Sequence, residues 1–489
     1  MSFLSERKAP SKRTIRRRKD RREQKLLYRD VTDLLGKTKD TVRVSAEGVR
    51  LEDKAKLKAK TIDELVYNLC LNESRAVKDI VFWIIWELAG ELGIYPSSIQ
   101  ELYEAKGKGK YSQITVPAVN IRGLTYDVAC ALVRTALKLK SLSFIFEIAK
   151  SEIGYTLQRP AEYTAVCLGA AIKEGFAGPL FIMGDHFQLK SKDYARDPDK
   201  EVETLKELIS EAVSAGFYNI DIDSSTLVDL SQDTIDKQQR ENYDVAAKLT
   251  AFIREIQPQG LTISVGGEIG EVGGKNTTPE EFHAFMQGFR KQLDKYGAAL
   301  TGISKISIQT GTSHGGVVLP DGSIAEVNLD FEVLKAISRI AQGHYGLSGT
   351  VQHGASTLPD DAFHHFPEAE TAEVHLATGF QNIIYESRHF PRELRKKIYA
   401  WLDENCAADR KEGMSDEQFI YKTRKKGFGP HKKEIMDLPQ GVRENIGREL
   451  EEKFAFLFQK LNAADTEALV NRYVKPARIK KACPEAFLV

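Results

Sequence analysis

Pro179-Leu180-Phe181-Ile182-Met183-Gly184-Asp185-His186 is a short apolar run that ends in a glycine and two polar, chemically competent side chains. A run of this length, closed by a turn signal, is the pattern of a strand buried on both faces. Seven further segments share its texture: Ile114–Ile121, Ser143–Ala149, Phe217–Asp223, Leu261–Gly267, Lys305–Gly311, Gly349–Gly354 and Ala372–Thr378. Between them lie amphipathic patterns such as Tyr126–Leu139, Ala161–Glu174, Glu201–Ala215, Tyr243–Ile256, Pro279–Tyr296 and Phe331–Gln342. Eight strands spaced by helices predict an α/β fold, a TIM (β/α)8 barrel over residues 111–390. A doubly wound open sheet is the alternative, but no GxGxxG follows a first strand.

The flanks read differently. Residues 31–110 form a helical N-terminal extension, with Leu65, Cys70, Val77, Val81, Ile84, Ile85 and Leu88 as a thick apolar face. Residues 391–489 form a helical C-terminal extension whose segments Arg392–Leu402, Asp416–Lys426 and Gly441–Leu461 either cover the barrel or build the interface of a homo-oligomer. Residues 1–30 are a basic, flexible arm: Met1 to Lys25 holds eleven Lys/Arg against three Asp/Glu. Such an arm is solvated, touches RNA or another anionic surface, or reaches an acidic neighbouring subunit.

Over the 489 residues, 70 basic and 69 acidic side chains cancel, so a protein that coats nucleic acid is not expected beyond the arm. The five cysteines have no CxxC spacing, and the longest apolar run, Ile80 to Trp86, is far below a membrane span. An intracellular, cytoplasmic soluble protein with reduced thiols and no membrane partner is expected.

The strand ends carry the chemistry. In order they read Gly184-Asp185-His186, Asp221-Ile222-Asp223-Ser224-Ser225, Gly266-Gly267-Glu268, Gly311-Thr312-Ser313-His314-Gly315-Gly316 and His353-Gly354-Ala355-Ser356. In a barrel all of these face one rim. Three imidazoles from separate strands, with carboxylates beside them, predict an open Zn²⁺ site or a site for another divalent cation. Gly315, Gly354, Ala355 and Ser356 offer backbone N–H groups and a hydroxyl to a phosphate, or simply let the chain reverse tightly.

These ordered motifs resemble those of the class II, metal-dependent ketose-bisphosphate aldolases (the fructose- and tagatose-bisphosphate enzymes) over Ile114 to Glu386. Glu147, Gly154-Tyr155-Thr156 and the Gly-Asp-His turn are also similar to accessory-type subunits of tagatose-bisphosphate aldolase. The resemblance implies a lyase of carbohydrate metabolism, related to glycolysis, acting on a sugar phosphate or acidic ketose. It implies that His186, His314 and His353 hold the metal and that Asp185 is the catalytic acid/base. Glu268 and Asp223 would then occupy an alternate metal position or orient the His ligands.

Two departures stand out. Where the family has an acidic residue after the Gly273-Gly274 pair, this chain has Lys275-Asn276, and an Asn cannot serve as a base. Where the eighth strand usually supplies an Asn and an Asp for the phosphate, this chain offers His375, Thr378 and Gly379, which we expect to bind an anion in altered geometry. These departures leave two alternatives: a barrel with altered catalysis that works as a structural or regulatory subunit, and a metal-dependent sugar isomerase or epimerase.

Overall fold

The structure is a computed structural model that describes residues 27–270, 275–311, 319 and 329–488. They divide into two compact units, one of the described residues up to Glu91 together with those from Lys480, the other of Leu92–Ile479.

In the smaller unit, helix Val31–Thr38 is followed by an antiparallel hairpin, Val42–Ser45 with Gly48–Leu51, and by helices Ile62–Leu71 and Arg75–Glu91. Asp30 caps the first helix by accepting from the Asp33 N–H. The apolar face read from the sequence is buried: Leu65, Val77, Val81, Ile84, Ile85 and Leu88 all lie in the core. The helical run is interrupted at Asn72, whose side-chain amide donates to the Tyr28 carbonyl and to Asn68 instead of continuing the helix.

The larger unit contains the barrel. Its strands are β1 (Val116–Asn120), β2 (Ile145–Ala149), β3 (Gly178–Gln188), β4 (Asn219–Asp223), β5 (Ser264–Glu268), β6 (Lys305–Ser307), β7 (Thr350–Gln352) and β8 (Glu373–Leu376). Each pairs in parallel with the next, β8 returns to β1, and the sheet closes. The expected TIM barrel is therefore the observed fold, and each of the eight strands overlaps its expected segment, β3 running past it at both ends. An additional short strand, Ile94–Ser97, lies parallel to the start of β3, in a stretch read from the sequence as helical. The β-branched and aromatic character of Ile94-Tyr95 suits a strand.

Helices wrap the barrel where the periodicity places them, from Thr125–Lys138 to Phe331–Ile340. Helix starts follow local chemistry: Asp197, Thr234 and Thr278 cap by accepting from backbone N–H groups, and Pro160, Pro198 and Pro279 occupy first-turn positions. The C-terminal helix Gln440–Lys460 packs on Thr125–Lys138, where Arg134 joins Glu451 to Glu174. Its Leu450, Phe454, Leu457 and Phe458 are buried, so this segment covers the barrel.

The barrel interior is unusual. Such interiors are filled by layers of four side chains from alternate strands, mostly branched aliphatics. Here β2, β4, β6 and β8 contribute Glu147, Asp221, Lys305 and Glu373, all buried. Gly266 on β5 makes room for the pair that crosses the interior, because a Cβ there would lie 2.3 Å from Asp221 Oδ1 and 2.9 Å from Lys305 Cε.

Candidate metal and acid/base site

The site begins with an irregularity in β3. Gly184 pairs with Ile220 and Phe187 with Ile222, so Asp185 and His186 together stand opposite the single residue Asp221. A bulge of this kind re-aims side chains. His186 has φ of 42°, a left-handed conformation that costs a non-glycine residue about 1–3 kcal/mol and is found where function holds it.

The bulge points His186 at two carboxylates. Its Nδ1 lies 3.0 Å from Asp223 Oδ2 at the end of β4 and 3.3 Å from Glu268 Oε2 at the end of β5. Asp223 is held in turn by the Ser225 hydroxyl at 2.6 Å and by the Gln188 amide. His353, just past β7, places Nδ1 3.0 Å from the Ser307 hydroxyl of β6. The His186 and His353 rings are 4.1 Å apart between centroids. Their other nitrogens flank one atom: Asp185 Oδ1 is 3.9 Å from His186 Nε2 and 3.6 Å from His353 Nε2.

This donor set fits a divalent metal. Each imidazole has one nitrogen engaged by a carboxylate or hydroxyl, the arrangement that orients a metal-binding His. One ligand atom each from His186, Glu268 and His353 lies within 4.8 Å of the others, and the same holds for Asp185, Asp221, His353 and His375. Burial and the neighbouring charges of His186 and His375 hold His353 well below the usual imidazole range, which favours the neutral form a metal requires. Glu268 is pushed up to about 7 by burial and the Asp223 charge. Asp185 pays for its burial, yet the charges of His186 and His375 keep it well below the usual carboxylate range.

Beneath this level sits the charged layer. Lys305 Nζ lies 2.8 Å from Asp221 Oδ2 and also contacts Glu373 Oε1. Glu373 Oε2 accepts from the Tyr103 hydroxyl. His375 joins both levels: Nε2 is 2.6 Å from Glu373 Oε1, and Nδ1 is 2.8 Å from Glu147 Oε2 and 3.2 Å from Asp185 Oδ1. His375 was expected beside an anion of the substrate. An anion placed there would meet three carboxylates; burial opposes a charged imidazole, but the charges of Glu147 and Asp185 hold His375 well above the usual imidazole range, so the ring itself is the cation among them.

The remaining expected residues gather near the β7 and β8 ends. Gly354 has φ of 70° and leads into a tight turn at Ala355, Ser356 Oγ accepts from the Gly379 N–H at 3.1 Å, and Thr378 Oγ1 accepts from Arg122 at 3.3 Å. His314 and Gly315, with Gly273 and Gly274, fall outside the described residues. Asn276 donates to Asp330 Oδ2 at 2.9 Å, tying it to the start of helix Phe331–Ile340.

The sequence marks Asp221 only within the β4 end, and it marks none of Arg122, Lys305, Glu373 or Tyr103 as a site residue. For Lys305 and Glu373 a signal existed: Ser304-Lys305-Ile306 and Ala372-Glu373-Val374 each place a charge inside an apolar strand run, and a charge there faces the barrel interior.

A family model described as fructose-bisphosphate aldolase class-II matches residues 98–438. Among solved structures, the chain is similar to a Sinorhizobium meliloti 1021 protein described as "probable tagatose 6 phosphate kinase", with 18% identity, 76% of this chain and 96% of that one covered, and a TM-score of 0.50. It is also similar to a fructose-bisphosphate aldolase of Campylobacter jejuni, at 15% identity over 76% and 96% of the two chains with a TM-score of 0.45. An aldolase of Escherichia coli K12 gives 14% identity over 75% and 98%, with a TM-score of 0.44. No curated protein matches. At these identities the structural likeness speaks for the fold alone.

Proposed function

The chain belongs to the class II fructose-bisphosphate aldolase family, and from that premise we propose that it is a metal-dependent aldolase, making and breaking a carbon–carbon bond in a phosphorylated or otherwise acidic ketose. The observation that carries this reading is the convergence of His186 Nε2 and His353 Nε2 on Asp185 Oδ1. His186 and His353, with His314 outside the described residues, would hold a divalent cation; Zn²⁺ suits imidazole ligands, and binding it would require His186 to give up a proton.

When bound, that cation supplies a Lewis acid for the negative charge that develops as the bond breaks. Asp185 takes the proton from the hydroxyl beside the cleaved bond and returns it in the reverse direction; its low proton affinity and buried position suit a carboxylate that starts ionised. Asp223 and Ser307 hold the two imidazoles in place throughout.

The acidic character of the substrate is supported by the charge near β1 and β8. Arg122 donates to Glu152 at 2.7 Å and to Thr378 and Gln381 at 3.3 and 3.0 Å. The segment holding Lys425 is seated on the same rim, where a Cβ on Gly429 would lie 2.2 Å from the Tyr155 carbonyl oxygen. Lys425 lies 6.0 Å from the Tyr155 ring centroid, and burial together with the Arg122 charge lowers its proton affinity. A phosphate or carboxylate held there would relieve that unfavourable concentration of positive charge.

One observation favours a shifted reaction. Asn276 is hydrogen-bonded to Asp330 and lacks a basic group, so the proton exchange expected of an acidic residue here needs another donor. An isomerase or epimerase, or a barrel with altered turnover, fits that difference. Aldehyde release from a panel of ketose mono- and bisphosphates and ketonates decides between them: cleavage of at least one supports the aldolase, with fructose 1,6-bisphosphate not the best substrate, whereas interconversion of sugars without aldehyde release supports the alternative.

A further inference from the structure

His364-His365-Phe366-Pro367-Glu368 lies in the connection between β7 and β8 and shares no residue with the rim site. In a helical turn, residues three and four apart share a face, so this spacing sets Glu368 beside both histidines. The chain forms that turn. A short helix runs from His365 to Glu368, and the Ala369 N–H donates to the His365 carbonyl at 2.9 Å. Phe363, Phe366 and Pro367 are buried and hold the turn against the core. His364, His365 and Glu368 are left facing solvent.

The three side chains converge. His365 Nδ1 lies 2.9 Å from Glu368 Oε2, and the two imidazole rings are 3.8 Å apart between centroids. One ligand atom from each of the three residues lies within 4.8 Å of the others. Ligands about 2.1 Å from a first-row cation stand about 3.0 Å apart at right angles and about 4.2 Å apart when opposite. The 2.9 Å pair is already at the first of these spacings, and small turns of solvent-facing side chains bring in the third ligand. His365 is steadied by Phe331, whose ring lies 5.0 Å from it and 5.2 Å from Phe366. Among the described residues Glu368 ion-pairs with His365 and with no Lys or Arg, so no fixed cation neutralises it.

We propose that His364, His365 and Glu368 form a second divalent-cation site, in which two imidazole nitrogens and one carboxylate oxygen hold Zn²⁺ or a neighbouring first-row ion. Two His and one Glu, with water in the remaining position, is a donor set that Zn²⁺ accepts. Imidazole ligands select Zn²⁺, Cu²⁺ or Ni²⁺ over Mg²⁺ and Ca²⁺, which prefer oxygen throughout. All three ligands belong to one turn whose apolar residues are anchored, so the ion binds without rearrangement of the barrel. The site is independent of the proposed function, because none of its residues enters the rim chemistry.

Equilibrium dialysis of the full chain against buffered Zn²⁺, with bound metal read by elemental analysis, tests this. The wild type should hold one equivalent per chain more than His364→Ala or His365→Ala, and Glu368→Gln should lower the occupancy of that equivalent. The loss should add to that of His353→Ala in the double variant His353→Ala/His365→Ala. Equal Zn²⁺ content in the wild type and in folded His364→Ala and His365→Ala overturns the site, whatever the rim holds. A chain without metal at the rim that still shows the difference at His365 supports this site and overturns the proposed function alone. If neither variant folds, crystals of the wild type grown with Zn²⁺ decide: an anomalous peak within about 2.3 Å of a His365 nitrogen is expected, and none there overturns the site.

Discussion

Asp223 Oδ2 lies 3.0 Å from His186 Nδ1, and the backbone of His186 is turned into a left-handed conformation to make that contact. The bulge in β3, the strained φ and the carboxylate at the end of β4 thus serve one purpose, which is to aim His186 Nε2 toward Asp185 and His353. Removing the carboxylate should loosen the aim. Asp223→Asn is expected to lower divalent-metal affinity about 10–100-fold with the fold preserved, as read by competition with a chelator. Unchanged affinity would make Asp223 a structural residue of the rim.

Asp185→Asn should keep the barrel folded and keep metal at the His186 and His353 pair, while carbon–carbon bond cleavage falls about 10²–10⁴-fold. Steady-state kinetics on the best substrate of the panel, with metal content measured in parallel, checks both halves. Full activity in a metal-loaded Asp185→Asn protein would remove Asp185 from the chemistry.

Gly266→Ala tests the charged interior. The added Cβ would lie 2.3 Å from Asp221 Oδ1 and 2.9 Å from Lys305 Cε, so the ion pair across the barrel has to shift. A loss of about 1–3 kcal/mol in chemical denaturation is expected, the usual cost of overpacking a filled core. A neutral effect would show that the pair has slack.

Lys106 gives the protein a pH dependence of known sign. It is buried and donates to the Ile114 and Thr371 carbonyls at 2.7 and 3.0 Å, and burial lowers its proton affinity to about 8 against the partly opposing charge of Glu370. The unfolded chain therefore binds more protons at this residue than the folded one between about pH 8 and 10.5, so stability rises with pH through that window. The difference in unfolding free energy between wild type and Lys106→Met should change in favour of the wild type on going from pH 8 to pH 10. A difference that stays flat would place Lys106 in a more solvated setting.

The sequence made the barrel legible because its two periodicities are strong. Segments such as Phe217–Asp223 and Tyr126–Leu139 are long enough for strand and helix patterns to show. The rim was legible for a related reason: polar residues after apolar runs, as in Gly184-Asp185-His186, mark strand ends whatever the partner strands are. The interior was not legible in the same way. Asp221, Lys305 and Glu373 are far apart in the chain, and their meeting depends on the strand pairing that carries β4 through β5 to β6 and on through β7 to β8. The family resemblance sets His375 at a phosphate-binding position, whereas its ring is framed by Glu373, two residues earlier on the same strand, and by Glu147 on β2, which only the barrel's closure brings near. The short strand at Ile94–Ser97 is hidden in the sequence because its end overlaps Pro96-Ser97-Ser98, the signature of a helix start, and helix Gln100–Gly107 does follow.

Cleavage measured before metal removal, after dialysis against a chelator, and after Zn²⁺ is returned bears most directly on whether this barrel is a metal-dependent aldolase. Aldehyde release from an acidic ketose should vanish on chelation and return with the metal. Release that is unaffected by complete metal removal, or the absence of cleavage in a fully metal-loaded protein across the whole panel, would contradict it.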